Sequence, residues 1–156
     1  DRSGFSISLS HNGSRLAVGA PQNNGNGSES GHVRVYEWSN NSWTQLGADI
    51  DGEAEHDQSG RTVFLSSDGS LIAIGAMGND GNGSESGHVR LYQWVNSNWT
   101  QVGSDIDGST AGDLSGTSVS LSSDGSRLAV GAYAHTANGI QATGLTRSYV
   151  IAPPVE

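Results

Sequence analysis

The sequence repeats itself every 56 residues, and this periodicity constrains the fold more than any other feature. Ser-Gly dipeptides stand at positions 3–4, 59–60 and 115–116, at spacings of 59 − 3 = 56 and 115 − 59 = 56 residues. The segment GNGSESGHVR at 25–34 recurs letter for letter at 81–90. A fixed period of this kind is typical of repeat architectures, in which each unit buries its apolar face against the next. We therefore expect tandem copies of one supersecondary unit.

The third copy diverges in its second half. It keeps LAVGA at 128–132, and its GLTRSY at 144–149 matches GHVRLY if one residue is inserted in the loop before it. The chain then runs into IAPPVE, where the earlier copies have a Trp-containing hairpin. This predicts units at 1–56, 57–112 and 113–156, the last without its fourth strand.

Each complete unit has the pattern of four short strands. Apolar and small polar residues alternate over 5–9, which is the period of a half-buried strand. The Asn-Gly pair at 12–13 indicates a tight hairpin turn, and the apolar RLAVGA at 15–20 predicts a central, buried strand. Two further strands are predicted at 32–38 and 43–46. Helical periodicity is absent from the sequence.

Four-stranded repeating units are typical of β-propeller blades. The predicted fold is all-β, with tandem four-stranded antiparallel blades that form a β-propeller-like, incomplete ring of about three blades, whereas closed rings take about four to eight. Open strand edges invite another chain. The alternatives are a fragment of a longer propeller, a ring completed by other copies, or a head-to-tail filament.

Two Trp pairs flank the predicted outer hairpin turns: Trp38 with Trp43, and Trp94 with Trp99. Aromatics in these positions are most simply cross-strand pairs that hold the register of the hairpin. The alternative is an aromatic platform on which a sugar ring stacks, and this makes the four Trp residues candidate ligand-binding residues.

The pattern SG…GAP…SGHVRVY resembles the FG-GAP repeats of the integrin α-chain propeller and its microbial and algal relatives. It is carried by the Ser-Gly dipeptides, by Gly19-Ala20-Pro21 and by the segment 31–36. The resemblance implies an extracellular adhesion or structural module, with calcium in an Asp-rich loop between the first two strands. In this chain the loop is only a hairpin, such as 11–14, too short to supply the six to eight oxygens that calcium takes. Ser also replaces the Phe of the FG dipeptide in every copy.

Acidic residues are densest at 49–57 and in the corresponding segment 105–113. Acids that alternate around a Gly are similar to the oxygen spacing of a calcium loop. The candidate calcium ligands common to both copies are Asp49, Asp51, Asp57, Asp105, Asp107 and Asp113. The interpretation that we favour is a solvated connection between blades whose Asp residues cap turns. Calcium is the one cofactor that the sequence brings into consideration.

The remaining polar features have structural explanations. His32 and His88 occupy equivalent strand starts, and we interpret both as structural rather than metal-ligating. The identical loops at 25–34 and 81–90 are explained by duplication, with a repeated ligand-binding rim as the alternative. GxSxG, HExxH and P-loop motifs are absent, so we predict that the protein is not an enzyme.

Composition limits the partners. Seven basic residues, all Arg, against sixteen acidic ones give a net charge of −9, which excludes a nucleic-acid partner. The lack of Cys excludes disulfides and thiol chemistry, and no apolar run is long enough for membrane insertion. Five sequons are glycan acceptors if the protein is secreted by a eukaryote: Asn12, Asn26, Asn40, Asn82 and Asn98.

The function expected from the sequence is a non-catalytic extracellular structural or adhesion module. Its expected partners are other copies of itself or further blades of a longer chain, together with glycans or extracellular proteins. The alternatives are a lectin-like propeller that binds carbohydrate and an extracellular enzyme that degrades polymers.

Overall fold

A computed structural model describes residues 1–151, which form thirteen strands in three antiparallel sheets. The first sheet contains β1 (Ser6–Leu9), β2 (Arg15–Ala20), β3 (His32–Ser39), β4 (Ser42–Gln45) and β5 (Ile50–Asp51). The second contains β6 (Thr62–Leu65), β7 (Leu71–Ala76), β8 (His88–Val95), β9 (Asn98–Gln101) and β10 (Ile106–Asp107). The third contains β11 (Ser118–Leu121), β12 (Arg127–Ala132) and β13 (Leu145–Val150). We call these sheets blades 1, 2 and 3, and together they form the all-β, open, propeller-like fold predicted from the sequence.

Each blade is a meander in which consecutive strands pair. In blade 1 the order is β1-β2-β3-β4, and β5 pairs with β3 beyond the end of β4. The outermost strand is therefore in two pieces, β4 and β5, separated by residues 46–49. The short strands β5 and β10 were not predicted, because two paired residues are too few to produce an alternating pattern in the sequence. The single inserted residue in blade 3 is confirmed, since Leu145 pairs with Ala132 where His88 pairs with Ala76.

The outer hairpins close through two-residue turns. Asn40 and Asn41 have φ values of 50° and 63°, and the corresponding turn in blade 2 has values of 51° and 63°. Consecutive positive φ values are those of a type I′ turn, whose twist matches that of the flanking strands. This turn places Trp38 directly opposite Trp43.

The core lies between the blades. We call the side of a blade that faces the next blade in sequence its front face, and the opposite side its rear face. Between blades 1 and 2 the front-face residues are Ala17, Val33, Val35 and Ile50, and the rear-face residues are Val63, Leu65, Ile72, Ile74, Tyr92 and Trp99. Between blades 2 and 3 the buried cluster is Leu71, Ala73, Val89, Leu91, Leu121, Leu128 and Val130. Each blade thus depends on its neighbour for burial, as in other repeat proteins.

The two ends of the stack expose opposite faces. On the rear face of blade 1, Ile7 is 65% and Leu9 is 56% exposed, whereas their counterparts Val63 and Leu65 in blade 2 are 7% and 2% exposed. The front face of blade 3 exposes mostly small and polar residues, such as Ser118 and Ser148, together with the apolar Val150 at the end of β13. Residues 1–151 contain no helix that is long and apolar enough to cross a membrane.

Candidate functional site: the blade joint and its polar clusters

The inner strands of neighbouring blades are joined by one repeated hydrogen bond. Ser6 Oγ donates to the carbonyl oxygen of Gly60 at 2.7 Å, and Thr62 Oγ1 donates to that of Gly116 at 2.8 Å. A Cβ atom on Gly19 would overlap the same Gly60 oxygen. The Gly of the GA motif in one blade therefore lies against the Ser-Gly motif of the next, which explains why both motifs recur at the same period.

The repeated GNGSESG loop belongs to the same joint. Gly31 forms a parallel bridge with Ser59, and the Ser59 amide donates to Ser30 O at 3.0 Å. Asn26 Nδ2 donates to the carbonyl oxygens of Gly52 and Glu53, at 2.8 and 3.0 Å. Blade 2 repeats these bonds with Ser86, Gly87, Ser115 and Asn82. The letter-for-letter repeat thus serves blade-to-blade contact.

Asp57 and Asp113 are turn caps within this joint. Both are almost fully buried, and each accepts hydrogen bonds from two backbone N–H groups of the preceding turn. Asp113 also accepts from Thr110 Oγ1 and contacts His135 Nδ1 at 2.9 Å. Burial opposes the charge of Asp113, but the hydrogen bonds from Thr110, His135 and the backbone outweigh it and lower its pKa. Both residues therefore cap turns as expected, but they are buried and not solvated.

Three of the other predicted carboxylates lie in two clusters with His ligand atoms. In blade 1, His32, Asp49 and Asp51 place one ligand atom each within 4.8 Å of one another. Across the joint, Glu53 of blade 1 does the same with His88 and Asp105 of blade 2. Among residues 1–151, Asp57, Asp107 and Asp113 belong to neither cluster, so neither predicted set of three carboxylates converges on one site.

In blade 1, Asp49 of the cluster is already paired with an Arg side chain. Arg34 donates two bonds to Asp49, from Nε at 2.9 Å and Nη2 at 2.8 Å, and Gln45 adds a third at 2.7 Å. The hydrogen bond from Arg34 lowers the pKa of Asp49. His32 Nδ1 lies 3.5 Å from Asp49 Oδ2, and burial, followed by the nearby Arg34, lowers the pKa of His32.

In blade 2 the equivalent Arg turns the other way. Arg90 Nη1 lies 3.3 Å from Glu53 Oε1, and Arg90 Nη2 donates to Asp51 O at 2.7 Å, so its side chain reaches back to blade 1. Within the described chain, the side chain of Asp105 accepts one hydrogen bond, from Gln101 Nε2 at 2.7 Å. His88 Nδ1 is 3.8 Å from Asp105 Oδ2. Burial is the main cause that lowers the pKa of His88.

The two Trp pairs have the same internal geometry and different surroundings. Ring centroids are 5.4 Å apart for Trp38–Trp43 and 5.3 Å apart for Trp94–Trp99, as expected for cross-strand pairs. Trp99 is buried against blade 1 and donates from Nε1 to Leu46 O at 2.9 Å. Trp38 and Trp43 are 46% and 41% exposed on the rear face of blade 1.

The sequons divide in a similar way. Asn12, Asn40 and Asn98 are exposed, at or beside hairpin turns, whereas the amide groups of Asn26 and Asn82 donate to backbone carbonyls of the loops that follow β5 and β10.

A cavity of about 510 Å³ lies between blades 2 and 3 and is lined in part by Leu71, Val102, Asp68 and Asp124. Asp68 and Asp124 accept hydrogen bonds from Ser residues of their own turns. Those from Ser122 and Ser126 lower the pKa of Asp124 to about 2. A carboxylate held as an ionised acceptor in this way is unsuited to general acid catalysis, which needs a raised pKa.

No protein-family model and no curated protein matches this sequence. Among solved structures, a Bacteroides uniformis protein provisionally named 6-phosphogluconolactonase matches 93% of this chain with a TM-score of 0.54 and 14% identity. Saccharomyces cerevisiae Sqt1 matches 96% with a TM-score of 0.54 and 15% identity. The chain spans only 40% and 36% of these two structures. At such identities the likeness shows the fold alone.

Proposed function

We propose that this protein is a non-catalytic structural module that associates head to tail with further copies of itself, through the rear face of blade 1 and the front face of blade 3. The observation that carries the proposal is that both exposed end faces retain residues that join the blades internally. The extracellular setting and the FG-GAP relationship are part of the proposal and rest on the sequence motifs.

The rear face of blade 1 has the composition of a buried surface. Ile7 and Leu9 stand where Val63 and Leu65 are covered by blade 1, and Trp43 stands where Trp99 is buried. Large exposed apolar patches of this kind mark interaction sites in soluble proteins. The exposed Trp pair therefore has an explanation in blade packing, which favours association over sugar binding.

The front face of blade 3 retains the inner-strand half of the joint. Ser118 and Gly131 occupy the positions of Ser6 and Gly19, and Ser118 is exposed. A second copy docked like the next blade would present the carbonyl oxygen of its Gly4 to Ser118 Oγ. The outer half differs, because Thr146 and Ser148 replace the buried Val89 and Leu91. Such a mixed surface fits reversible contact better than a permanent core.

An enzyme is one alternative: the sequence left open one that degrades extracellular polymers, and the name of one structural neighbour is that of a lactonase. Against it stand the absence of catalytic motifs and the turn-bound carboxylates of the cavity between blades 2 and 3. A lectin-like function is the other alternative, and it predicts glycan binding that is lost in Trp38→Ala.

Light scattering combined with negative-stain imaging over a concentration series tests the proposal. We expect rings or filaments at multiples of the 16.1 kDa chain mass. Gly131→Ala should abolish them, since its methyl group would meet the Gly4 carbonyl of the next copy while meeting only the Ser118 side chain at close range within its own chain. A folded monomer at every concentration would contradict the proposal, as would assembly that Gly131→Ala leaves intact.

A further inference from the structure

His88 is the feature of the molecule that the blade joint does not explain. Its side chain is 1% exposed, and neither ring nitrogen has a hydrogen-bond partner within residues 1–151. A buried polar group without a partner costs about 1–3 kcal/mol, and native structures keep few of them. One ring nitrogen faces Asp105, and Glu53 completes the surroundings from the other blade.

We propose that Glu53, His88 and Asp105 bind a divalent transition-metal ion, of which Zn²⁺ is the representative, across the joint between blades 1 and 2. The ion would link the loop that follows β5 to the start of β8. It would therefore fasten one blade to the next through side chains that both blades supply.

The distances suit such an ion. Zn²⁺ holds His nitrogen and carboxylate oxygen at about 2.0–2.2 Å, so two of its ligand atoms lie about 3.4 Å apart in tetrahedral geometry. His88 Nδ1 and Asp105 Oδ2 are 3.8 Å apart, too far for a hydrogen bond and close to this separation. All three ligand atoms lie within 4.8 Å of one another, and the long, exposed side chain of Glu53 can close the remaining gap.

The donor set selects the class of metal. Calcium takes six to eight oxygen ligands, whereas an imidazole with two carboxylates suits Zn²⁺ and its first-row neighbours. Only a neutral imidazole can ligate a metal ion, and burial lowers the pKa of His88, which favours that form. Arg90 is the cation that faces the cluster, and on metal binding it gives up Glu53 while keeping its bond to Asp51 O.

The repeat provides an internal control. At the same position in blade 1, His32 faces an Asp49 that Arg34 already occupies with two hydrogen bonds. In blade 3 the His is replaced by Leu145. The proposal therefore assigns one metal site to each chain, at the only joint of residues 1–151 where the Arg leaves the Asp and the His is present.

Titration of the full chain with Zn²⁺ by calorimetry tests the site, with Co²⁺ absorption as a second readout of the ligand field. We expect one equivalent of Zn²⁺ to bind and to raise the Tm, because a ligand that binds only the folded state stabilises it. Asp105→Asn, Glu53→Gln and His88→Gln should each weaken Zn²⁺ binding by at least about tenfold. His32→Gln and the exposed His56→Gln should leave the affinity unchanged, and Ca²⁺ should not compete.

Two results would overturn the proposal. One is the absence of saturable Zn²⁺ and Co²⁺ binding, which is expected if a water molecule bridges His88 and Asp105 instead. The other is binding that survives Asp105→Asn and Glu53→Gln. These two residues are partly exposed, so their variants decide the question even if His88→Gln fails to fold.

Discussion

Gly75 in β7 lies directly against the backbone carbonyl of Gly116 in the next blade, so closely that a Cβ atom at position 75 would overlap the Gly116 oxygen. Gly19 and Gly60 have the same relationship between blades 1 and 2. Because the obstructing atoms are backbone, a side chain at either position could be accommodated only by moving the blades apart. The inner strands of the stack are thus spaced by Gly-to-Gly contact.

We expect Gly75→Ala to lower the free energy of unfolding by about 1–3 kcal/mol or more, the range seen when atoms are forced into a packed interior. Gly131→Ala is the matched control at the same repeat position. Its methyl group would meet only the movable Ser118 hydroxyl at close range within its own chain, so its effect on the stability of the monomer, measured at low protein concentration, should stay within about 0.5 kcal/mol. Urea unfolding followed by far-UV circular dichroism gives both values, and equal losses would show that the Gly-to-Gly contact does not set the blade spacing.

The hydrogen bond from Trp99 Nε1 to Leu46 O ties the outer strand of blade 2 to blade 1. Trp99→Phe removes the donor and leaves that carbonyl unpaired, which should cost about 1–3 kcal/mol of unfolding free energy. The same substitution at the exposed Trp43 should change stability by less than about 0.5 kcal/mol. Chemical unfolding of the two variants distinguishes them, and similar values would argue against a role for this bond.

The sequence predicted the elements whose neighbours lie close along the chain. The strand expected at 15–20 is β2, and the one expected at 32–38 is β3 with one added residue, because apolar alternation and turn residues determine both locally. The cross-strand pairing of the Trp residues was predicted for the same reason. The contacts between blades could not be predicted from such local patterns. Nothing in the local sequence distinguishes Arg34 from Arg90, and only the presence of a preceding blade turns Arg90 toward Glu53.

The candidate site shows the same limit. The acidic segments were recognised, and turn-capping carboxylates were favoured over a calcium site in each segment. In the structure these carboxylates have different partners. Asp57 accepts hydrogen bonds from backbone N–H groups, and Asp49 accepts them from Arg34. Of the predicted carboxylates, Asp105 alone lies beside a His that has no hydrogen-bond partner in the described chain. His88 was interpreted as structural because its repeat spacing was the only signal, and the approach of Glu53 from another blade leaves no mark in the sequence.

The turn cap formed by Asp113 makes the free energy of unfolding dependent on pH in the acid range. Its pKa is lowered in the folded protein, so between its unfolded value of about 3.8 and its folded value the unfolded chain binds more protons. The stabilisation is therefore present above about pH 4 and is lost as the pH falls through the folded pKa. Asp113→Asn should lower the unfolding free energy at neutral pH and flatten its decline below pH 4. Urea midpoints measured from pH 2 to pH 7 test this, and an unchanged acid limb in the variant would contradict it.

The same substitution at equivalent positions on the rear faces of blades 1 and 2 distinguishes a residue of the proposed association surface from a residue of the core. Leu65→Ala removes a side chain that is 2% exposed and should lower the unfolding free energy by about 2–5 kcal/mol through lost burial and the cavity left behind. Leu9→Ala, at the equivalent position in blade 1, removes one that is 56% exposed and should change the stability of the monomer by less than about 0.5 kcal/mol. Light scattering should show the opposite order, with self-association weakened by Leu9→Ala because Leu9 is buried only when a second copy covers it. A Leu9→Ala variant that assembles like the unmodified protein would place the contact elsewhere on the molecule.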